Sequence, residues 1–562
     1  MNARRLVVHS LVALLVACGG DPSGPQLVTG VRLINVGPAE AIYLAPGIPV
    51  TIQVEVYDSN FNLLTTPPRA AFTWESSNES VATVTKTGIL EVQLGATPND
   101  HATIQVGYVN SSAFVDVFAA APPVALHLQP ASRTLTPGAR LEVRGVAENP
   151  SGEFEPRHLF QFSLTGGTNL AHLTDIGCSV DSCLPREPDA VALHPDAAGT
   201  VTITGTADGK SATATFLVRT VSFTGVTTGS GHSCGPTTDG AVFCWGDGYI
   251  ASPLQVAIPA GMGNIQAGVT RTCGIAADTH AYCWPNSPDP VPELVSSSIG
   301  FAQLSPGPLS SCGVDTGGAA WCWGLNVWGQ LGNGTLDGSD IPVAVAGSLQ
   351  FQQVDTYGPG DEVAHACGIT TAGAAYCWGA NYVGQVGRPD GDPACEPANC
   401  WMAPVPVLPG HTFTQIVTGS AHSCALETGG TAWCWGAGGL LGAGVPTNPG
   451  GSGPVPVSGG HAFQSLTAGG AHTCGLTTSG QAYCWGGNNS GQAGQTAASA
   501  AVLYTPTLVS GGLTFTAISA GGSHTCGLAG GILYCWGDNT TGQIGIPVGS
   551  FSQQPTRVLG QP

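Results

Sequence analysis

The feature that most constrains this chain is a pair of cysteines that returns seven times in its C-terminal part. Cys234 pairs by position with Cys244, Cys273 with Cys283, Cys312 with Cys322, and Cys367 with Cys377. Cys424 follows with Cys434, Cys474 with Cys484, and Cys526 with Cys535. An aromatic residue precedes each second cysteine (Phe243, Tyr282, Trp321, Tyr376, Trp433, Tyr483, Tyr534), and a tryptophan follows it (Trp245, Trp284, Trp323, Trp378, Trp435, Trp485, Trp536). First cysteines recur every 39 to 57 residues. A unit of this length cannot bury its apolar face alone and must stack on its neighbours, and about 40–50 residues make one four-stranded propeller blade.

Spacing within the unit argues for a hairpin. Six pairs are ten residues apart and the last is nine apart. Ten fits a three-residue loop such as Thr478-Ser479-Gly480, whose third residue takes φ > 0 and is best Gly. That position holds Gly240, Gly318, Gly373, Gly430 and Gly480, with Thr279 as the departure. Nine fits a two-residue turn at Gly530-Gly531. In both cases the cysteines face each other across the strands, about 4.5–5.5 Å apart, within reach of a disulfide. Zinc is the competing reading, but cysteine zinc sites are built from CxxC pairs, and the chain has none.

The fuller pattern, G-x-x-H-[ST]-C-x-L-x(4)-G-x-x-Y-C-W-G-x-N-x-x-G-Q-x-G, stands clearest at 469–494 and 521–545. It resembles the regulator of chromosome condensation (RCC) repeat, in the cysteine-containing form found in bacterial extracellular proteins. The resemblance covers residues 221–562 and implies a seven-bladed β-propeller. It is weaker around Cys273 and Cys312, where Arg271 and Ser310 replace the histidine and Pro285 replaces the glycine after Trp284. A P-x-x-V segment precedes most repeats, and the last one, Pro555-Thr-Arg-Val558, has no repeat after it. From this the C-terminal strand is expected to complete the first blade and close the ring, leaving no long sheet edge.

The chain before residue 221 reads as three parts. Residues 1–18 form a targeting segment, with Arg4 and Arg5 ahead of the apolar run 6–17, too short to span a bilayer. Leu15-Val16-Ala17-Cys18-Gly19 resembles a bacterial lipobox. That resemblance implies cleavage before Cys18, a lipid on its thiol, and delivery to the outer membrane or cell surface, since Gly19 rather than Asp follows. The alternative is an ordinary secretion signal with a chance cysteine. Residues 19–26 are a polar tether.

Residues 27–120 alternate as strands, and Trp74-Glu-Ser-Ser-Asn followed by Val81-Ala-Thr-Val and Gly88 resembles the bacterial immunoglobulin-like group 2 domain, with Trp74 as core aromatic. Residues 121–220 resemble a second copy that lacks the Trp-Ser-Ser-Asn run and carries an insertion with Cys178 and Cys183. The fold expected is therefore all-β: a seven-bladed propeller behind two immunoglobulin-like sandwiches. The cysteine count agrees. Of 19 cysteines, fourteen form the hairpin pairs, Cys178 with Cys183 and Cys395 with Cys400 form two more, and Cys18 takes the lipid. Complete pairing fits an oxidising, extracytoplasmic setting.

Chemistry is harder to find. His232, His365, His422, His472 and His524 recur two residues before the first cysteine. A set of metal ligands or bases is one reading. A hydrogen-bonding role repeated in every blade is the better one, because an active site needs a unique constellation. The largest departure from the repeat is 387–405, where Cys395 and Cys400 pin a loop ahead of Trp401 and Met402. An exposed aromatic beside Met suits a protein-binding hot spot; the alternative is loop decoration with Trp401 folded inward. Trp328 is a second unrepeated aromatic. Asp390 and Asp392, and Asn333, Asp337 and Asp340, have calcium-like acidity without a full EF-hand loop, so calcium is the one cofactor considered. No G-x-S-x-G, HExxH or Walker pattern occurs.

The net charge is −20, and from residue 221 onward the cations are Arg271, Arg388 and Arg557 alone. A nucleic-acid surface needs clustered cations, so that partner is excluded. What remains is a lipid-anchored surface protein that binds a protein or a glycan. A propeller lyase or hydrolase and an architectural envelope protein are the alternatives.

Overall fold

The computed structural model describes residues 28–562 apart from short segments, the longest being 34–40, 45–49, 59–71, 120–124, 149–153, 184–189, 358–363 and 448–452. The targeting segment, Cys18 and the tether lie outside the described residues.

The described residues are almost entirely β. Two sandwiches come first. In the first, a sheet ordered Ala41–Leu44, Ser111–Ala119, His101–Tyr108, Thr73–Ser76 faces a smaller one ordered Val50–Thr51, Ile89–Val92, Ala82–Val84. Strand alternation sends Ile104, Val106, Val115 and Val117 inward to meet Leu90 and Val92. Trp74 packs against this core over Gly88, whose φ of 78° and missing side chain admit the indole; a Cβ there would lie 2.7 Å from the ring.

The second sandwich sets Ala125–Gln129, Leu141–Glu148, Ala190–Pro195 and Ala171–Asp175 against Ser132–Leu135, Lys210–Val218, Gly199–Ala207 and Gln161–Gly166. Leu141–Glu148 shows the period of two, buried at every odd residue. Cys178 stands opposite Cys183 in a short strand pair, and their side chains lie outside the described residues.

Seven four-stranded antiparallel meanders follow in chain order, numbered here as blades 1 to 7: 227–255, 263–294, 301–344, 351–407, 413–456, 463–508 and 515–557. In every blade the second and third strands pair with cysteine opposite cysteine. All seven hairpin disulfides are formed. Cys234 is bonded to Cys244 in blade 1, Cys273 to Cys283 in blade 2, and Cys312 to Cys322 in blade 3. Cys367 is bonded to Cys377 in blade 4 and Cys424 to Cys434 in blade 5. Cys474 is bonded to Cys484 in blade 6 and Cys526 to Cys535 in blade 7. Their Cα atoms are 4.0–4.1 Å apart, closer than the 4.5–5.5 Å expected from the sequence. The reason is the register: each cysteine pair sits where side chains approach most closely across the hairpin. Cys395 bonded to Cys400 is an eighth disulfide among the described residues. The turn residue predicted to need φ > 0 has it, at 78° for Gly480 and at 72° even for Thr279.

The closure expected from the C-terminal strand is not what forms. Ser552–Arg557 pairs with Ile532–Gly537 and is the outer strand of blade 7, while blade 1 takes its outer strand from Leu254–Gln255. The P-x-x-V segment ends the blade before it rather than opening the blade after it. Pro253-Leu-Gln-Val256 belongs to blade 1 as Pro555-Thr-Arg-Val558 belongs to blade 7. The valine then buries in the core between its own blade and the next, Val256 at 3% and Val558 at 1% exposure.

Blade 7 still meets blade 1, without sharing a strand. Phe243 and Trp245 of blade 1 share one core with Leu528, Leu533, Ile544 and Val558. The second sandwich also joins blade 1: Leu254 is fully buried in the sandwich core, Thr136 Oγ1 donates to the Pro253 carbonyl at 3.1 Å, and Arg219 pairs with Asp239.

Candidate functional site: loops of blades 3 and 4

The repeat builds a frame, and the frame explains most of the motif. In blades 3, 4, 6 and 7 the N-x-x-G-Q-x-G loop is knotted by its own amides. The Asn oxygen accepts from the backbone N–H five residues on, as in Leu331 to Asn326 at 2.9 Å and Val386 to Asn381 at 3.1 Å. The Gln oxygen accepts from the N–H two residues back, as in Trp328 to Gln330 and Val383 to Gln385.

The Gln carbonyl then reaches the next blade. Gln543 O accepts from Trp245 Nε1 at 3.0 Å and Ser233 Oγ at 2.9 Å, and Gln492 O accepts from Trp536 and Thr525 in the same way. Trp378 and Trp435 repeat the contact onto Gln330 and Gln385. Blade 5 has a loop two residues shorter, with a 3-10 turn at Gly438–Leu440, and the buried Nε1 of Trp485 in blade 6 finds no acceptor.

The histidines belong to the same frame. Nε2 of His232, His365, His422, His472 and His524 lies 2.7–2.9 Å from the hydroxyl before the cysteine of the following blade: Thr272, Ser423, Thr473, Thr525 and Ser233. Ser233, Ser423 and Thr525 spend their protons on Gln carbonyls, so the histidines facing them must donate from Nε2–H. Burial pulls His232 down to about 4 and His422, His472 and His524 to about 3. Among the described residues no three metal-ligating side chains cluster.

At the propeller axis the inner strands meet on glycine. A Cβ on Gly229, Gly419, Gly469 or Gly521 would collide with the carbonyl oxygen of Gly268, Gly469, Gly521 or Gly229 in turn. Backbone N–H groups of Ser420, Gly470 and Gly522 bond across the same gap. Blade 4 breaks this series with Tyr357, whose buried hydroxyl sits beside Gly470 of blade 6 and is pushed up to about 12 by burial. Two residues earlier Asp355 replaces the small polar residue. It accepts from Ser305 Oγ and from Thr418 N and Oγ1, and burial raises its carboxyl to about 6.

Variation is displayed elsewhere. The two x residues between Asn and Gly-Gln are Asn489-Ser490 in blade 6 and Thr540-Thr541 in blade 7, but Val327-Trp328 in blade 3 and Tyr382-Val383 in blade 4. Val327, Tyr382 and Val383 are 49%, 46% and 43% exposed. Trp328 meets Tyr382 edge-on at 5.2 Å. Gly329 abuts the backbone of Trp401 and Met402, and the Met402 carbonyl accepts from Gly334 N at 2.8 Å. The structure thus brings Trp328, Trp401 and Met402 together, as the sequence did not foresee, and adds Tyr382.

Trp401 lies neither fully out nor fully in. It is half-buried, donates from Nε1 to the Asp390 carbonyl at 2.8 Å, packs on the blade 4–blade 5 core and has Arg388 over its ring at 6.0 Å. Of the calcium-like residues, Asn333 turns its oxygen to Asn326 and Thr335 within its own loop, while Asp337, Asp340 and Asp390 are exposed. Tyr382, Tyr357 and Asp355 escaped sequence reasoning. Laying the repeats over one another by column rather than by cysteine would have found Tyr357 and Asp355.

Two models described as "Regulator of chromosome condensation (RCC1) repeat" match this chain, at 223–249, 463–492 and 515–543 and at 317–356, 372–426 and 479–528. Human E3 ubiquitin-protein ligase HERC2 is 32% identical over 120 residues, 21% of this chain. The match spans only 2% of that protein's length. Among solved structures, Prp20p from Saccharomyces cerevisiae aligns with TM-score 0.49 and 19% identity over 60% of this chain and 87% of its own. Human WBSCR16 aligns with TM-score 0.47 and 20% identity over 55% and 85%. The C-terminal part of this chain is a β-propeller built of RCC1 repeats.

Proposed function

We propose that this protein is a lipid-anchored cell-surface binding protein, in which two immunoglobulin-like sandwiches present a seven-bladed, disulfide-stapled propeller to a protein or glycan ligand. One observation carries the reading. The loop frame of Asn, Gly and Gln is the same in four blades, and only where blades 3 and 4 adjoin does it display exposed aromatic and aliphatic side chains, against the half-buried Trp401 and Met402. Rigidly held aromatic residues with few conformations to lose are what binding hot spots use.

The axis supports binding over catalysis. Its inner belt is neutral glycine backbone, and Asp355 is hydrogen-bonded on both oxygens. A groove of about 600 Å3 between blades 2 and 3 has one carboxylate in its lining, Asp315, which is engaged by Trp321 Nε1 and two backbone N–H groups. The lipid site at Cys18, and through it the outer-membrane or surface location, extends the reading from the sequence.

A pull-down tests it. The full chain is immobilised and challenged with envelope extract and culture medium, with and without chelator, and captured proteins are identified by mass spectrometry. A reproducible partner lost with both Trp401→Ala and Trp328→Ala is expected. Equal capture by wild type and both variants overturns the placing of the binding face, and no protein captured under any condition overturns a protein ligand and leaves the glycan, enzymatic and architectural alternatives.

A further inference from the structure

Resting on that binding reading, the chemistry of the patch goes on to select its ligand. Besides Tyr382, the exposed large apolar side chains of the two loops are aliphatic: Leu325 and Leu336, each 41% exposed, with Val327 and Val383. The loop amides that could recognise sugar hydroxyls are turned inward. Asn326 Nδ2 donates to the Thr335 and Asp337 carbonyls, and Asn381 Nδ2 to those of Arg388 and Asp390. A glycan would find hydrophobic faces but few donors.

The rim is acidic. Asp337 and Asp340 follow the blade 3 loop, Asp390 and Asp392 follow the blade 4 loop, and Arg388 is the one cation in either. Arg388 leans on Asp390 at 3.8 Å and over Trp401, so its charge is partly spent. Because Gly334 is bonded to Met402 and Asp390 to Trp401, both acidic segments are tied to the apolar patch itself.

We propose that this surface takes an amphipathic, lysine- or arginine-bearing segment of a partner protein. Its apolar side chains would seat against Trp328, Tyr382 and Met402, and its cations would face Asp337, Asp340 and Asp390. An apolar centre provides the desolvated contact, and rim charges provide selection and association rate rather than bulk affinity.

The test uses the full chain in detergent and three synthetic peptides of equal length. One carries Leu and Phe with Lys and Arg, one carries the same apolar residues with Glu, and one carries Lys and Arg with Ser in place of the apolar residues. The first is expected to bind at least about tenfold more tightly than either other, with the margin over the Glu peptide shrinking as salt rises, since exposed charges are screened. The triple variant D337N/D340N/D390N, confined to exposed positions, should lower affinity for the first peptide and not for the second. Trp328→Ala should weaken both.

Equal binding of the first two peptides, both lost with Trp328→Ala, overturns the charge selection and leaves the binding reading standing. Binding of the Ser peptide as tight as the first, or indifference to Trp328→Ala, shows attraction to a protein of net charge −20 and overturns the proposal. Failure of all three to bind overturns it too, with the pull-down left as the separate judge of the binding reading.

Discussion

His472 shows what a repeated residue does here. Its Nε2–H is committed to Thr525, whose own proton goes to Gln492 O, and its Nδ1 is buried without a partner. A second proton would have nowhere to go but a dry pocket. The sign of the pH dependence follows. Burial lowers the folded value to about 3, below the usual 6.5, so the unfolded chain takes the proton first. Stability is complete above about pH 6.5 and is lost as the pH falls toward the folded value. At pH 5 each such histidine costs about 2 kcal/mol. Asp355, raised to about 6, works the other way, losing stability as pH rises between about 4 and 6. Urea denaturation at pH 7 and pH 5 should show a net loss at pH 5, because four lowered histidines outweigh one carboxyl. His472→Gln should reduce that loss, and a midpoint independent of pH would refute the account.

At the scale of the element, the stapled hairpin is the unit. Changing Cys474 and Cys484 together to Ala should cost roughly 2–3 kcal/mol by loop entropy, read by chemical denaturation, while leaving the hairpin register intact. A loss near zero would mean the strand pairing alone carries the blade. Intact mass before and after reduction, on protein lacking residues 1–18, should show nine disulfides, including one between Cys178 and Cys183.

This hairpin was legible because its signals are local: cysteine spacing, a turn glycine and strand alternation agree, and even Thr279 adopts the turn angle it was expected to resist. The outer strand was misassigned because P-x-x-V lies between two units and nothing in it points backward or forward. Only the strand pairing, Leu254 with Cys244 and Thr556 with Cys535, decides. The patch was half legible. Trp328, Trp401 and Met402 stood out as departures, but their meeting depends on blade 3 lying beside blade 4, which no local pattern states, and Tyr382 hides in a column where any residue is allowed.

For the whole molecule, Leu254 matters most. A residue of the propeller's first outer strand is fully buried in the core of the second sandwich. These two parts therefore share a core, with the Arg219–Asp239 pair beside the joint. Leu254→Ala should destabilise the protein by about 2–5 kcal/mol, and in calorimetry the sandwich and propeller transitions should move together. If only one moves, the joint is a contact and not a shared core. In the anchored protein proposed above, a spacer fused to its cargo would set the orientation of the binding face as well as its distance from the membrane.

One further consequence comes from the outer strands. Each blade is a single uninterrupted stretch of chain, and blades 7 and 1 meet without exchanging a strand. No strand has to be carried across the molecule to join the last unit to the first. Duplication or loss of one whole unit would therefore leave every other unit correctly threaded, and blades 1, 5, 6 and 7, which each carry the histidine, the hydroxyl and the tryptophan, would bring the whole set to a new neighbour. Propellers latched by a shared strand have their size written into their two ends. This one can change size by copying, and it can let a single pair of loops diverge while the other units keep their pattern.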